Sequence, residues 1–154
     1  MTDDINSNDQ HKRYSVVTTS HIGCGMTDFV VYIDQSTVRD GTLKELKSAM
    51  RELVDFVEAN EPEALAYNVY FSADGDRIAV IHMHTYQAPL EFHMAVAGPK
   101  FPPIGEFIDL ESIDVYSHMS EDLNQCLKDK ASGLGSGRVL VHERHRGIDR
   151  VTDN

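Results

Sequence analysis

The stretch IAVIHMHTYQAPLEFHMAVAG, Ile78 to Gly98, decides how this chain folds, because the spacing of its apolar residues changes partway along it. As far as Tyr86 the residues alternate: Ile78, Val80, His82, His84 and Tyr86 face one way, and Ala79, Ile81, Met83 and Thr85 the other. From Pro89 the spacing becomes helical. Leu90, His93, Met94 and Ala97 share one stripe, Pro89 suits the first position of a helix, and Gly98 suits its end. A strand therefore passes directly into a short helix, with His82 and His84 on one strand face and His93 on the apolar helix face. Any chemistry is expected here.

The flanking segments extend the pattern. Leu65 to Ser72 and Arg77 to Tyr86 enclose Ala73-Asp74-Gly75-Asp76, and Asp-Gly between alternating runs signals a hairpin. A tight turn at Asp74-Gly75 sets Ser72 opposite Arg77, Val69 opposite Val80, Tyr67 opposite His82 and Leu65 opposite His84. One sheet face then carries Leu65, Tyr67, Val69, Phe71, His82, His84 and Tyr86, and neither face is uniformly polar. Both faces need cover.

Upstream, FVVYIDQ (Phe29 to Gln35) is a β-branched and aromatic strand with Val30, Tyr32 and Asp34 on one face. Thr42, with Glu45 three residues on, has the form of a capping box. The long helix it opens has Leu43, Leu46, Met50, Leu53, Val54 and Val57 at helical spacing and stops at Glu61-Pro62. Downstream, Pro99, Pro102 and Pro103 keep the chain irregular, and Glu106 to Leu110 forms a turn or bend. SIDVY (Ser112 to Tyr116) is a strand, Ser120 caps a helix running through Lys130, Gly133 to Gly137 links, and RVLVHE (Arg138 to Glu143) is a last strand.

With 154 residues, 41% of them hydrophobic, the chain suffices for one core. We expect a disordered tail over 1–13, one domain over 14–143, and a polar tail over 144–154. The formal net charge of -11 argues against a nucleic-acid backbone as partner, since such affinity rests on clustered Lys and Arg. No apolar run is long enough for a membrane span, and the polar N-terminus with only Cys24 and Cys126 implies a cytoplasmic, reduced setting. His21 and Cys24 have the spacing of a metal pair but lack a second pair. His142 and His145 would point to opposite faces, so no metal site is expected.

The order strand, long helix, hairpin, short helix, strand over Phe29 to Tyr116, and above all TYQAPLEFHMAVAGPKF, resembles the antibiotic biosynthesis monooxygenase domain. This is a member of the dimeric α+β barrel superfamily. The resemblance implies an α+β fold with a ferredoxin-like antiparallel sheet and helices on one face. It also implies a homodimer whose sheets face each other, with His93 in the place of the family's helix histidine. Of the asparagine, tryptophan and histidine used by heme-degrading relatives, only His93 is present; Asp34 stands near the asparagine position and the chain has no tryptophan.

The function implied is a cofactor-independent monooxygenase that oxidises a quinol or polycyclic phenol, a small apolar or aromatic partner. Such chemistry needs a dry pocket, a base near neutral pH and a donor for the oxyanion. His93, His84 and His82 are the candidate bases, and Tyr67, Asn68, Tyr86 and Arg77 the candidate substrate-binding residues. A histidine taken singly is more often a satisfied structural residue than a catalytic one. A non-catalytic binding or sensing module of the same fold, or a heme or metal binder through His93, are the alternatives.

Overall fold

A computed structural model describes residues 29–148. The expectations for the N-terminal tail and the His21–Cys24 pair lie outside the described residues, as does the chain's end. Five strands and three α-helices follow in the order β1 (Val30–Val38), α1 (Leu43–Asn60), β2 (Ala64–Phe71), β3 (Arg77–His84), α2 (Gln87–Ala97), β4 (Ile108–Tyr116), α3 (Glu121–Leu134) and β5 (Gly135–His142). Two 3-10 turns, Gly98–Lys100 and Pro102–Glu106, connect α2 to β4.

The sheet order is β2-β3-β1-β4-β5. The first four strands pair antiparallel, as the ferredoxin-like reading requires, but β5 joins β4 in parallel and makes the sheet mixed. A parallel neighbour needs a crossover, and α3 supplies it. The expected link at Gly133 to Gly137 is therefore corrected: α3 runs on to Leu134 and β5 starts at Gly135. Gly135 and Gly137 serve packing instead. A Cβ at Gly137 would lie 2.7 Å from the Leu110 carbonyl oxygen, and one at Gly135 would collide with the Leu110 backbone.

The β2–β3 register pairs Tyr67 with His82 and Val69 with Val80, as the hairpin reading required. Gly75, at φ +79°, takes the left-handed conformation the turn demands. A bulge between Ala64 and Ala66 puts Ala64, not Leu65, opposite His84, and Leu65 turns outward. The Thr42 capping box does not form. Its hydroxyl instead donates to the carbonyls of Arg39 (2.8 Å) and Phe107 (3.2 Å), tying the start of α1 to the approach to β4. Ser120 does cap α3, its Oγ accepting from the Leu123 amide at 3.2 Å.

Alternation along the strands decides which side chains meet the helices. Val30 and Tyr32 on β1, Ile78 and Val80 on β3, and Leu110, Ile113 and Val115 on β4 pack in one core with Leu46, Met50, Leu53 and Val57 of α1, Leu90 and Ala97 of α2, and Leu123, Leu127 and Ala131 of α3. The same face carries Asp34, His82 and His84. Polar groups thus enter the core by strand periodicity alone.

Candidate functional site

His82, His84 and His93 are all fully buried. The structure brings them together: the His93 ring lies 5.0 Å from His82 and 5.8 Å from His84, centroid to centroid. β3 positions the first two on one face, and α2, which begins three residues after β3 ends, turns His93 back over them. Tyr32 stacks on His82 at 3.8 Å, and Tyr67 meets His82 edge-on at 4.6 Å.

Two of these rings are held by carboxylates. Asp34 Oδ2 lies 3.2 Å from His82 Nε2, and Glu61 Oε2 lies 2.8 Å from His93 Nδ1. Burial alone would raise the Asp34 carboxyl, but the Lys130 charge and the hydrogen bond from His82 outweigh it and hold it near a pKa of about 2. An ionised carboxylate only accepts, so His82 Nε2 carries the proton and donates. His82 Nδ1 and His93 Nε2 have no partner, and His84 has none at either nitrogen. Burial pushes His82 well below the ordinary histidine range despite Asp34, and takes His84 down to about 4, so both are neutral near pH 7.

Lys130 completes the cluster from α3. Its Nζ donates to Asp34 Oδ2 at 2.6 Å and to the Tyr32 hydroxyl at 3.3 Å, and lies 4.6 Å above the Phe101 ring. Between sheet and helices is a cavity of about 30 Å³, lined on its polar side by Asp34, Ser36, Tyr67 and Lys130 and elsewhere by residues such as Met50, Phe101 and Leu134. That is room for one or two waters. None of the three histidines lines it; Tyr67 and Phe101, which do, separate it from His93, with ring centroids 5.5 and 5.7 Å from the imidazole.

The other expected site residues divide. Tyr67 belongs to the cluster. Asn68 is exposed and pairs across the sheet with Ile81, so it looks away from His82, although it borders a groove between α1 and β2. Arg77 makes an exposed ion pair with Glu111 at 2.5 Å. Tyr86 lies beyond the end of β3 and is 46% exposed, because the chain leaves the sheet before the alternation can turn it inward. The structure brings neither Arg77 nor Tyr86 to the histidines.

Asp34, Glu61 and Lys130 carry the electrostatics, yet sequence reasoning gave none of them a role. Asp34 had a readable signal, a carboxylate alternating with Val30 and Tyr32 on an apolar strand face. Glu61 and Lys130 each read only as the end of a helix. Among the described residues no group of histidine, cysteine and carboxylate side chains is arranged to hold a metal ion. His142 bonds Asp114 at 2.9 Å, distant in the sheet from the cluster.

No family model matches this sequence, and no curated protein matches it. Solved structures do. MupZ from Pseudomonas fluorescens superposes with a TM-score of 0.64 at 13% identity, covering 84% of this chain and 95% of that one. SnoaB, a cofactor-independent oxygenase from Streptomyces nogalater, gives a TM-score of 0.51 at 18% identity over 60% of this chain and 95% of its own. A Nitrosomonas europaea protein that carries the antibiotic biosynthesis monooxygenase name gives 0.52 at 16% identity, over 62% and 94%. At such identities the likeness concerns backbone and not chemistry: the chain has the ferredoxin-like α+β fold of antibiotic biosynthesis monooxygenase-like proteins, with β5 added as a parallel edge strand.

Proposed function

We propose that this protein is a cofactor-independent oxygenase acting on a quinol or polycyclic phenol. The observation that carries the reading is the buried Asp34–His82 pair, joined to Lys130, with Asp34 at the wall of a mostly apolar cavity that has room for a reacting hydroxyl but not for a ring system. Asp34 takes the phenolic proton at the cavity wall, with His82 sharing the charge through their hydrogen bond, as Lys130 passes from the carboxylate to the forming oxyanion and so lifts the restraint that holds Asp34 at about 2. Lys130 and the dry surroundings stabilise the resulting oxyanion. The electron-rich anion then reduces dioxygen. A ring carbon exchanges its hydrogen for a carbonyl oxygen, and the second oxygen atom leaves as water, so the substrate supplies all four electrons that dioxygen accepts. His93, held by Glu61, packs behind Tyr67 and Phe101, and His84 stands beside His82 and His93.

The protein works as a homodimer in this proposal. The sheet face away from the helices supports it: Val31, Ile33, Ile81 and Met83 are only half buried there, and Tyr70 and Tyr116 are exposed at 52% and 47%. Among the described residues no helix is long and apolar enough to cross a membrane.

Oxygen uptake on a panel of quinols and polycyclic phenols tests the activity. The native protein should consume oxygen with at least one of them, and His82→Ala and Asp34→Asn should consume it far more slowly. Binding without uptake on every compound would instead establish a small-molecule binding module.

A further inference from the structure

Two grooves at the surface share more than one wall residue with the buried cavity. One, of about 400 Å³ between α1 and β2, shares Met50 and Tyr67 with it. The other, of about 260 Å³, lies between α3 and the segment that follows α2. It is lined by Met94, Phe101 and Pro102 on one side and Cys126, Lys130 and Leu134 on the other. It shares Phe101, Lys130 and Leu134 with the cavity. The polar end of the cavity is thus one side chain away from this groove, because Lys130 borders both spaces while its ammonium rests on Asp34.

The chemistry of the second groove is uneven in a useful way. Its floor is apolar and aromatic, and its charged lining is one anion, Asp129, and one cation, Lys130, whose side chain is 5% exposed and turned to Asp34. Phe101 is shared by the two spaces: its ring lines both groove and cavity, lies 4.6 Å under the Lys130 ammonium, and packs 5.7 Å from His93. The Phe101 ring therefore stands between the groove and the cavity, with Lys130 beside it.

We infer that the substrate enters through the groove between α3 and the Gly98–Glu106 segment, and that Lys130 meets its ionised hydroxyl there, exchanging its Asp34 contact for the phenolate oxygen. The ligand class is a flat aromatic with an acidic hydroxyl, its rings on Met94, Phe101 and Leu134. Releasing Asp34 from its cation as the phenol arrives makes the carboxylate a stronger base when the proton moves. The inference deepens the oxygenase reading and rests on it for the choice of phenols, but entrance and binding are testable without turnover.

Gly133 gives a clean probe. It lines the groove, it is not in the cavity wall, and a Cβ there meets no atom within 4 Å. Gly133→Phe fills the groove from outside while improving helix propensity. Arg51→Trp, at an exposed position, does the same for the α1–β2 groove.

The experiment is equilibrium binding of para-nitrophenol, whose anion is yellow, to the full chain below the free phenol's pKa. Native protein should bind it and raise the anion fraction. Gly133→Phe should weaken binding about tenfold or more, equivalent to at least ~1.4 kcal/mol, and Arg51→Trp should leave it unchanged. Lys130→Arg should keep the anion band. The Asp34→Asn, Lys130→Met double variant, which avoids a stranded buried charge, should bind without it. Unchanged binding by Gly133→Phe, loss on Arg51→Trp, no binding by native protein, or an intact anion band in the double variant would each overturn the inference. Binding that follows the expected pattern without oxygen uptake on any phenol would sink the oxygenase reading alone.

Discussion

Lys130 on α3 places its Nζ 2.6 Å from Asp34 Oδ2 on β1, 96 positions earlier in the chain, and both side chains are almost fully buried. The same oxygen faces His82 Nε2 at 3.2 Å, so one carboxylate oxygen holds a helix to the sheet and orients an imidazole.

Removing one member of that pair strands the other. Lys130→Met leaves the Asp34 carboxylate buried with only His82 for a partner and should destabilise the fold by about 3 kcal/mol. Adding Asp34→Asn should restore most of the loss. Urea denaturation of the three proteins measures both changes.

The buried histidines make the fold acid-sensitive before its carboxylates do. His84 titrates at about 4 when folded against 6.5 otherwise, and His82 is lowered too. Below 6.5 the unfolded chain therefore binds protons that the folded chain refuses. The stability contributed by neutral His84 is complete above 6.5 and is lost as pH falls toward 4, by roughly 3 kcal/mol. Asp34, lowered to about 2, adds a loss only between about 4 and 2. Chemical denaturation across this range should show the decline beginning near pH 6.5, and His84→Leu should flatten its first part.

Glycines of the β5 region should answer substitution in opposite directions. Gly137→Ala drives a methyl against the Leu110 backbone and should cost at least ~1 kcal/mol and detach the edge strand, read as faster amide exchange in β5. Gly133→Ala, with open space around it inside α3, should be neutral or stabilising by up to about 1 kcal/mol.

How legible the site was differs from one residue to the next. Strand alternation alone places His82 beside His84, and the Asp74-Gly75 turn correctly opposes Tyr67 to His82. The helical stripe of α2 buries His93 as expected. Alternation also set Asp34 with Val30 and Tyr32, so its burial was within reach. Lys130 was not, because its aliphatic stem lets a charge that reads as solvated fold back beneath its helix. Glu61 was hidden for a related reason: a helix-ending carboxylate finds a histidine 32 residues on only through tertiary packing. Tyr86 misled because alternation has no meaning once the strand has ended.

If the Asp34–His82 pair is the proton acceptor, His82→Ala should lower kcat by a factor on the order of 100 to 10,000 with a smaller change in KM. Glu61→Gln, which keeps a hydrogen-bond acceptor for His93, should have a much weaker effect. Steady-state oxygen uptake on an accepted phenol separates the two variants.

The most direct measurement of the central claim follows isotopically labelled dioxygen through one turnover of a phenol by the metal-free protein. One labelled atom should appear in the quinone product and one in water, with no added flavin, metal or nicotinamide, and Asp34→Asn should form no labelled product. Unlabelled product, or labelling that Asp34→Asn leaves intact, would contradict the claim.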